Sequence, residues 1–321
     1  MLGRRGVAQP DQKGEAVMKK TLLVLLLLLG ALLWSFLPQR LDVPQPGVIT
    51  LPPGPAGVPV QLAVMHTGSM QAKAFFAYRG GGLEDREFGM DVVLLKHPRG
   101  LLLIDAGFAS AWPQHLAATP ALLRTLSRTQ GGESAALQLA KVGIQPPQLA
   151  GVLLTHAHWD HVSGLADLPG VPVLVNAEEK HFIEHGGEMS ALARSLGKLN
   201  YQLYDFEHGP YAGFAASHDV FGDGSVIVVP AGGHTPGSVI VFVHSGARVY
   251  AFIGDLAWQH EGVDLPAERP WLARSIVDVN PATVRADLAQ LHRLAAANPQ
   301  LLIVPAHDHR VMQTLPQLAA P

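Results

Sequence analysis

The chain is 321 residues long, 48% hydrophobic and 15% charged, with no cysteine and a formal net charge of -3. That length buries a sizeable core in one large or two ordinary domains. The missing cysteine excludes disulfides, thiolate metal ligands and a cysteine nucleophile, and the near-neutral charge argues against a nucleic-acid partner, which needs a basic face to neutralise phosphates.

Thr21 to Leu37 is a 17-residue run without a charge, mostly leucine, preceded by Lys19 and Lys20. As a helix it spans about 25 Å, close to a hydrocarbon core of about 30 Å. It is apolar on every face and lies beside a terminus, which argues against a core helix. A cleaved signal peptide and an uncleaved anchor remain. When Gly30, Ala31 or Ser35 is taken as the last residue before a cut, the -3 position is always leucine, not the small residue a peptidase wants, so the anchor is favoured. Arg4, Arg5, Lys13, Lys19 and Lys20 precede the run, which leaves the amino terminus in the cytoplasm. The expected location is therefore the inner membrane with the remainder in the periplasm, and secretion after cleavage is the alternative. Met18-Lys19-Lys20 reads like a bacterial export start, so Met18 competes with Met1 as the first residue. Residues 1–37 form this segment, and residues 38–59 hold seven prolines and read as a semi-rigid spacer. A globular domain is expected over 60–321.

Within that domain short apolar runs alternate with helical patterns. Val92–Lys96 and Leu101–Ile104 flank His97-Pro98-Arg99-Gly100 as a hairpin. Val152–Leu154, Val171–Val175, Val226–Val229, Val239–Val243, Val249–Ile253 and Leu301–Val304 read as strands. Leu116–Leu126, Ala177–His185 and Pro281–Ala297 read as helices, the last capped by Asn280 with proline at its first position. The mixture predicts an α/β domain with helix-covered sheets. Between Val175 and Val226 lie Phe182, Tyr201, Tyr204, Phe206, Tyr211 and Phe214. They read either as an apolar cap over the active site or as the core of a helical insertion.

Chemistry concentrates in His156-Ala157-His158-Trp159-Asp160-His161, directly after the apolar strand ending Leu153-Leu154-Thr155. Three imidazoles and a carboxylate in six residues are poor packing material but a good set of metal ligands. His234, in Gly232-Gly233-His234-Thr235-Pro236-Gly237, Asp255, in Ile253-Gly254-Asp255, and His307, in Pro305-Ala306-His307-Asp308, each follow a predicted strand. Strand ends are where layered α/β proteins place active-site groups.

These motifs, with Leu103-Ile104-Asp105-Ala106-Gly107 ahead of them, resemble the metallo-β-lactamase superfamily over about Val60 to Gln313. The resemblance implies a four-layer αββα sandwich with a dinuclear metal site at one edge. It assigns His156, His158 and His234 to one metal, and Asp160, His161 and His307 to the other, with Asp255 bridging. Two divalent ions are implied, zinc first, with iron, manganese and cobalt open. His158-Trp159-Asp160-His161-Val162-Ser163-Gly164-Leu165 looks most like the N-acyl-homoserine lactone lactonases. Those enzymes usually place a tyrosine three residues after the bridging aspartate, where this chain has Trp258.

The expected function is hydrolysis of a small-molecule lactone or related ester by a hydroxide shared between the metals, with Asp160 as the catalytic proton shuttle. A β-lactam or a thioester on the same site is the alternative. A mononuclear-iron sulfur dioxygenase is the further one, although it leaves several of the ligands without a purpose. Asp105 reads as orienting a ligand histidine rather than as a catalytic acid. His309 is a solvated histidine or an alternative ligand. Trp159, Trp258, Tyr204 and Phe206 are candidate substrate contacts.

Overall fold

A computed structural model describes residues 12–43, 49–117, 119 and 121–319. Met1, Arg4, Arg5, Pro44 and Pro46 lie outside the described residues.

Two sheets carry the fold. The first has seven strands in the order β4-β1-β2-β3-β5-β6-β7: β1 Gln61–Lys73, β2 Asp85–His97, β3 Gly100–Ile104, β4 Arg128–Gly131, β5 Leu149–Leu153, β6 Pro172–Asn176 and β7 Asn200–Tyr204. The second has five in the order β12-β11-β10-β9-β8: β8 His218–Asp219, β9 Val226–Pro230, β10 Val239–Ser245, β11 Arg248–Phe252 and β12 Leu301–Val304. The hairpin read from residues 92–104 is present, with Lys96 opposite Leu101 in an antiparallel pair.

Alternation along these strands separates three apolar cores. Val93, Leu95, Leu102, Ile104 and Leu153 of the first sheet meet Val226, Val228, Val239, Val241 and Val243 of the second. Their neighbours Val92, Leu94, Leu103 and Val152 face outward onto α4 (Ala135–Lys141), α6 (Ala177–His185) and α7 (Ala191–Ser195), through Leu139, Ile183 and Leu192. On the far side Ile227, Val229, Ile240 and Phe242 face α10 (Pro281–Ala297) through Leu288 and Leu291. The result is the expected helix-sheet-sheet-helix sandwich. Burial on both faces explains why these strands read as continuous apolar runs.

The remaining helices are short: α2 Trp112–Ala117, α3 Ala121–Leu126, α5 Trp159–Val162, α8 Glu261–Asp264, α9 Trp271–Val277 and α11 His309–Met312. The helix expected over 116–126 is therefore two pieces, α2 and α3. Pro120 explains the break, because it bars its predecessor from helical geometry and lacks an N–H to continue the ladder. Asn280 caps α10 as expected, its side chain accepting from the Ala282 and Thr283 amides.

At the amino terminus, α1 (Gln12–Phe36) is by length and composition long and apolar enough over its 24 residues Lys13–Phe36 to cross a bilayer, its apolar part being the leucine-rich run after Lys20. The proline-rich segment departs from the expected spacer, since its described parts lie on the domain. The Leu41 amide donates to the Pro266 carbonyl at 2.8 Å, Leu51 is buried, and the Asn298 side chain bonds the Leu51 amide and the Ile49 carbonyl. Apolar side chains between the prolines find a surface to cover, which outweighs the preference for a solvated extended chain.

Candidate metal centre

Three strand ends and one turn converge at an edge of the sandwich. The run 156–161 leaves β5, with α5 beginning inside it; His234 sits in the turn from β9 to β10, Asp255 follows β11 and His307 follows β12. All seven side chains expected there come together in two groups that meet. In the first, His158 Nδ1 lies 3.1 Å from His156 Nε2 and 2.9 Å from His234 Nε2. In the second, His307 Nε2 lies 3.3 Å from His161 Nε2 and 3.5 Å from Asp160 Oδ2. Asp255 stands between them. Its Oδ2 is 3.5 Å from His234 Nε2 and 3.9 Å from His156 Nε2, while its Oδ1 is 3.0 Å from His307 Nε2 and 3.3 Å from His161 Nε2.

Three of the five imidazoles are oriented from behind. His161 Nδ1 donates to Asp105 Oδ2 at 2.8 Å, His234 Nδ1 to Asp278 Oδ1 at 2.9 Å and His307 Nδ1 to the Gly89 carbonyl at 2.8 Å. This is how metal-ligating histidines are usually held, with the far nitrogen committed and the near one free. Asp105 has the role expected of it. It follows β3 with φ of 58°, a left-handed conformation that aspartate tolerates better than most residues, and its carboxylate also accepts from the Thr155 amide and hydroxyl.

Burial pulls His156 and His158 well below the ordinary histidine value, reinforced by neighbouring imidazoles, so both are neutral donors. His161 and His307 are equally buried, but Asp105 and Asp255 outweigh burial at His161, and Asp255 and Asp160 do so at His307, raising both. Burial would raise Asp255, yet His307 and His161 hold it well below the carboxylate range. Its buried Oδ1 has no hydrogen-bond partner among the described residues, which is costly unless a cation satisfies it. Buried imidazoles with committed far nitrogens around an orphaned carboxylate oxygen fit a divalent metal.

Two residues that the sequence did not reveal complete the support. Glu179, on α6, accepts from the Ala157 amide at 2.6 Å, the Thr235 hydroxyl at 2.7 Å and the Gly237 amide at 3.0 Å, tying the two histidine loops together. Burial nonetheless pushes its carboxyl up to about 7. A Cβ on Gly237 would collide with the Glu179 backbone, so glycine is required there. Asp278 is clamped by Arg269 at 2.9 and 3.1 Å. Burial would raise it, but Arg269 and His234 lower it. Asn176-x-x-Glu179 has capping-box spacing and gave the one available signal for Glu179. Asp278 had none.

A pocket of about 130 Å³ opens beside the centre, walled by Met70, Leu116, Met189, Leu272 and Ile276. Trp159 and Trp258 both line it. The Trp258 indole donates to Asp255 Oδ2 at 2.8 Å and stacks beneath the Arg269 guanidinium, so its one N–H is already used. Tyr204 and Phe206 are not in this pocket: Tyr204 is buried at the end of β7 in the inter-sheet core, stacked on His218, with Phe206 packed edge-on against it. Tyr211 and Phe214 pack on Phe242, and of the aromatics between 175 and 226 it is Phe182 that meets a centre residue, His158. The core reading of that segment therefore describes Tyr204, Tyr211 and Phe214. His309 turns away from the centre toward Asp91, which also holds His66.

The Metallo-beta-lactamase superfamily description matches residues 86–307, well over half of the chain. The chain belongs to the metallo-beta-lactamase superfamily. A probable metallo-hydrolase of Mycobacterium tuberculosis is 29% identical over 281 residues, covering 81% of this chain and 84% of that one. The N-acyl homoserine lactonase AttM of Azorhizobium caulinodans is 24% identical over 189 residues, 56% of this chain and 68% of its own. Among solved structures, a B. thuringiensis AiiA variant with N-decanoyl-L-homoserine bound at the active site superimposes with a TM-score of 0.63 at 17% identity, covering 81% of this chain and 98% of that one. Superfamily membership and the histidine-aspartate cluster make this protein a metal-binding hydrolase.

Proposed function

We propose that this protein is a membrane-anchored hydrolase that uses two divalent metals to open a lactone or related ester of the N-acyl-homoserine lactone kind. The observation that carries the reading is Asp255, whose two oxygens face different sets of histidines beside an apolar pocket. His156, His158 and His234 would hold one ion and Asp160, His161 and His307 the other, with Asp255 shared. Zinc suits these donors, as do iron, manganese and cobalt. Bound there, the ions would supply a hydroxide nucleophile near neutral pH and a Lewis acid for the ester carbonyl.

The chain's own residues do the rest. Asp160 lines the pocket, and its carboxylate would take the one proton that the hydroxide oxygen still carries after it has added to the acyl carbon and pass it to the departing alkoxide oxygen as the acyl C–O bond breaks, leaving carboxylate and alcohol. Trp258 keeps the shared carboxylate from turning, and a substrate meets its ring face rather than a donor. The apolar wall of the pocket takes the acyl chain, where each buried methylene adds about 0.8 kcal/mol. Similarity to AttM and to AiiA supports a lactone over a β-lactam or a thioester.

The test is ring opening of N-dodecanoyl-homoserine lactone by the full-length, metal-loaded protein in detergent. A metal-dependent kcat/KM above about 10⁴ M⁻¹s⁻¹ is expected. A negligible rate from protein that turns over β-lactams or thioesters would replace the lactone with those substrates.

A further inference from the structure

The last turn of α1 behaves unlike the rest of that helix. Leu22 to Leu29 are exposed, whereas Ser35 is fully buried. The Trp34 carbonyl accepts from Arg79 Nη2 at 2.9 Å, and the Phe36 carbonyl accepts from the Gly80 amide at 2.9 Å. The Arg79 guanidinium, 2% exposed, lies 4.6 Å from the Trp34 ring centre with Glu268 at 3.8 Å. Trp34 meets Trp271 of α9 edge-on at 5.9 Å, and Phe36 meets Phe75 at 5.2 Å. A segment destined for removal would leave Arg79 and the two rings of Phe75 and Trp271 without these partners.

The elements that receive this turn are the walls of the pocket. Phe76, beside Phe75, lines it, and so do Leu272 and Ile276 of α9. Leu272 is also 37% exposed, so it stands at the rim. Trp271 beside it is exposed to the same degree, and Leu83, in the loop whose Gly82 carbonyl accepts from the Phe75 amide, is 77% exposed. Exposed tryptophan and leucine side chains around the exit of an apolar helix are the composition of a surface that sits at the membrane–water boundary.

We infer that the end of α1 is a permanent part of the folded domain and that it seats the rim of the pocket on the bilayer, so that substrates enter from the lipid side. The inference rests on α1 being retained as an anchor. The occupant of the rim is the lipid surface, because the helix that emerges from it is itself long and apolar enough to continue into the bilayer. The substrate class narrows accordingly to amphiphiles that partition into lipid, with the acyl chain in the pocket and the polar ring toward the metal ligands.

The absence of cysteine makes the test direct, since a single introduced thiol is the only one to label. Leu83→Cys, Leu272→Cys, Leu26→Cys and Leu137→Cys would each carry an environment-sensitive fluorophore in the full-length chain, reconstituted into phosphatidylethanolamine–phosphatidylglycerol vesicles. Leu137 is exposed on α4, none of whose residues lines the pocket. Labels at 26, 83 and 272 are expected to shift blue and to be quenched by brominated lipid, and the label at 137 to stay in water. Quenching at 26 alone would overturn the inference and leave the anchor standing. Water exposure at 26, 83 and 272 together would overturn the anchor itself. A blue shift at 83 and 272 that needs protein concentration but no lipid would assign the rim to a second copy of the chain and overturn the inference.

Discussion

The histidines of the centre owe their usefulness to what stands behind them. Asp105, Asp278 and the Gly89 carbonyl each take one imidazole proton, which fixes the tautomer and aims the opposite nitrogen at the other ligands. Removing the charge behind one of them should therefore weaken metal binding without touching a ligand. Asp278→Asn is expected to lower the affinity for zinc about 10–100-fold, read by competition with a chromophoric chelator. Unchanged affinity would reduce Asp278 to a packing partner of Arg269. At this scale the seven ligand candidates were legible because they are rare residue types at strand ends, four of them in one short run. Glu179 and Asp278 were not. A lone acid near a helix start reads as a cap or a solvated charge, and what commits each of them is a partner far away in sequence, His234 for Asp278 and the Ala157 and Gly237 amides for Glu179.

Among the elements, α10 shows how local rules and burial compete. Its start obeys the capping preferences, yet Asp287 within it has a shielded Oδ2 with no hydrogen-bond partner among the described residues, and burial pushes its carboxyl up to about 7. The folded state then holds this proton more tightly than the unfolded chain, so the group's contribution to stability is present below its unfolded value and is lost as pH rises toward 7. Asp287→Asn should stabilise the protein at pH 8 by at least about 1 kcal/mol and change little at pH 4, measured by thermal melts. An equal shift at both pH values would point to packing instead. Elements buried on both faces were the readable ones, from the 92–104 hairpin to β12. β1 was missed because His66, Thr67, Ser69 and Gln71 interrupt its apolar alternation, and β8 because two residues carry no pattern. What places them is pairing rather than their own apolar pattern: β1 with β2 and β4, and β8 with the neighbouring β9.

Across the whole molecule, the centre joins the two sheets. Its residues come from β5 on one side and from the β9–β10 turn, β11 and β12 on the other, so a bound metal cross-links both halves of the sandwich and binds only the folded form. Stripping it with a chelator should lower the Tm by roughly 5 °C or more, corresponding to about 2.7 kcal/mol at a hundredfold excess over Kd, and refilling with zinc should restore it. A melt indifferent to chelator and to zinc would remove the metal from the stability of the fold.

The carboxylate of Glu179 gives this architecture an evolutionary bias. Because one side chain braces both histidine loops, a change in either loop is felt by the other, and tolerated substitutions there must arrive in compensating pairs. The aliphatic part of the pocket wall is under no such bond. Met70, Leu116, Met189 and Ile276 come from separate segments and are held by packing alone, so each can be exchanged singly for another apolar residue. Substrate preference can drift among descendants of this chain by single steps, while the chemistry they inherit stays fixed.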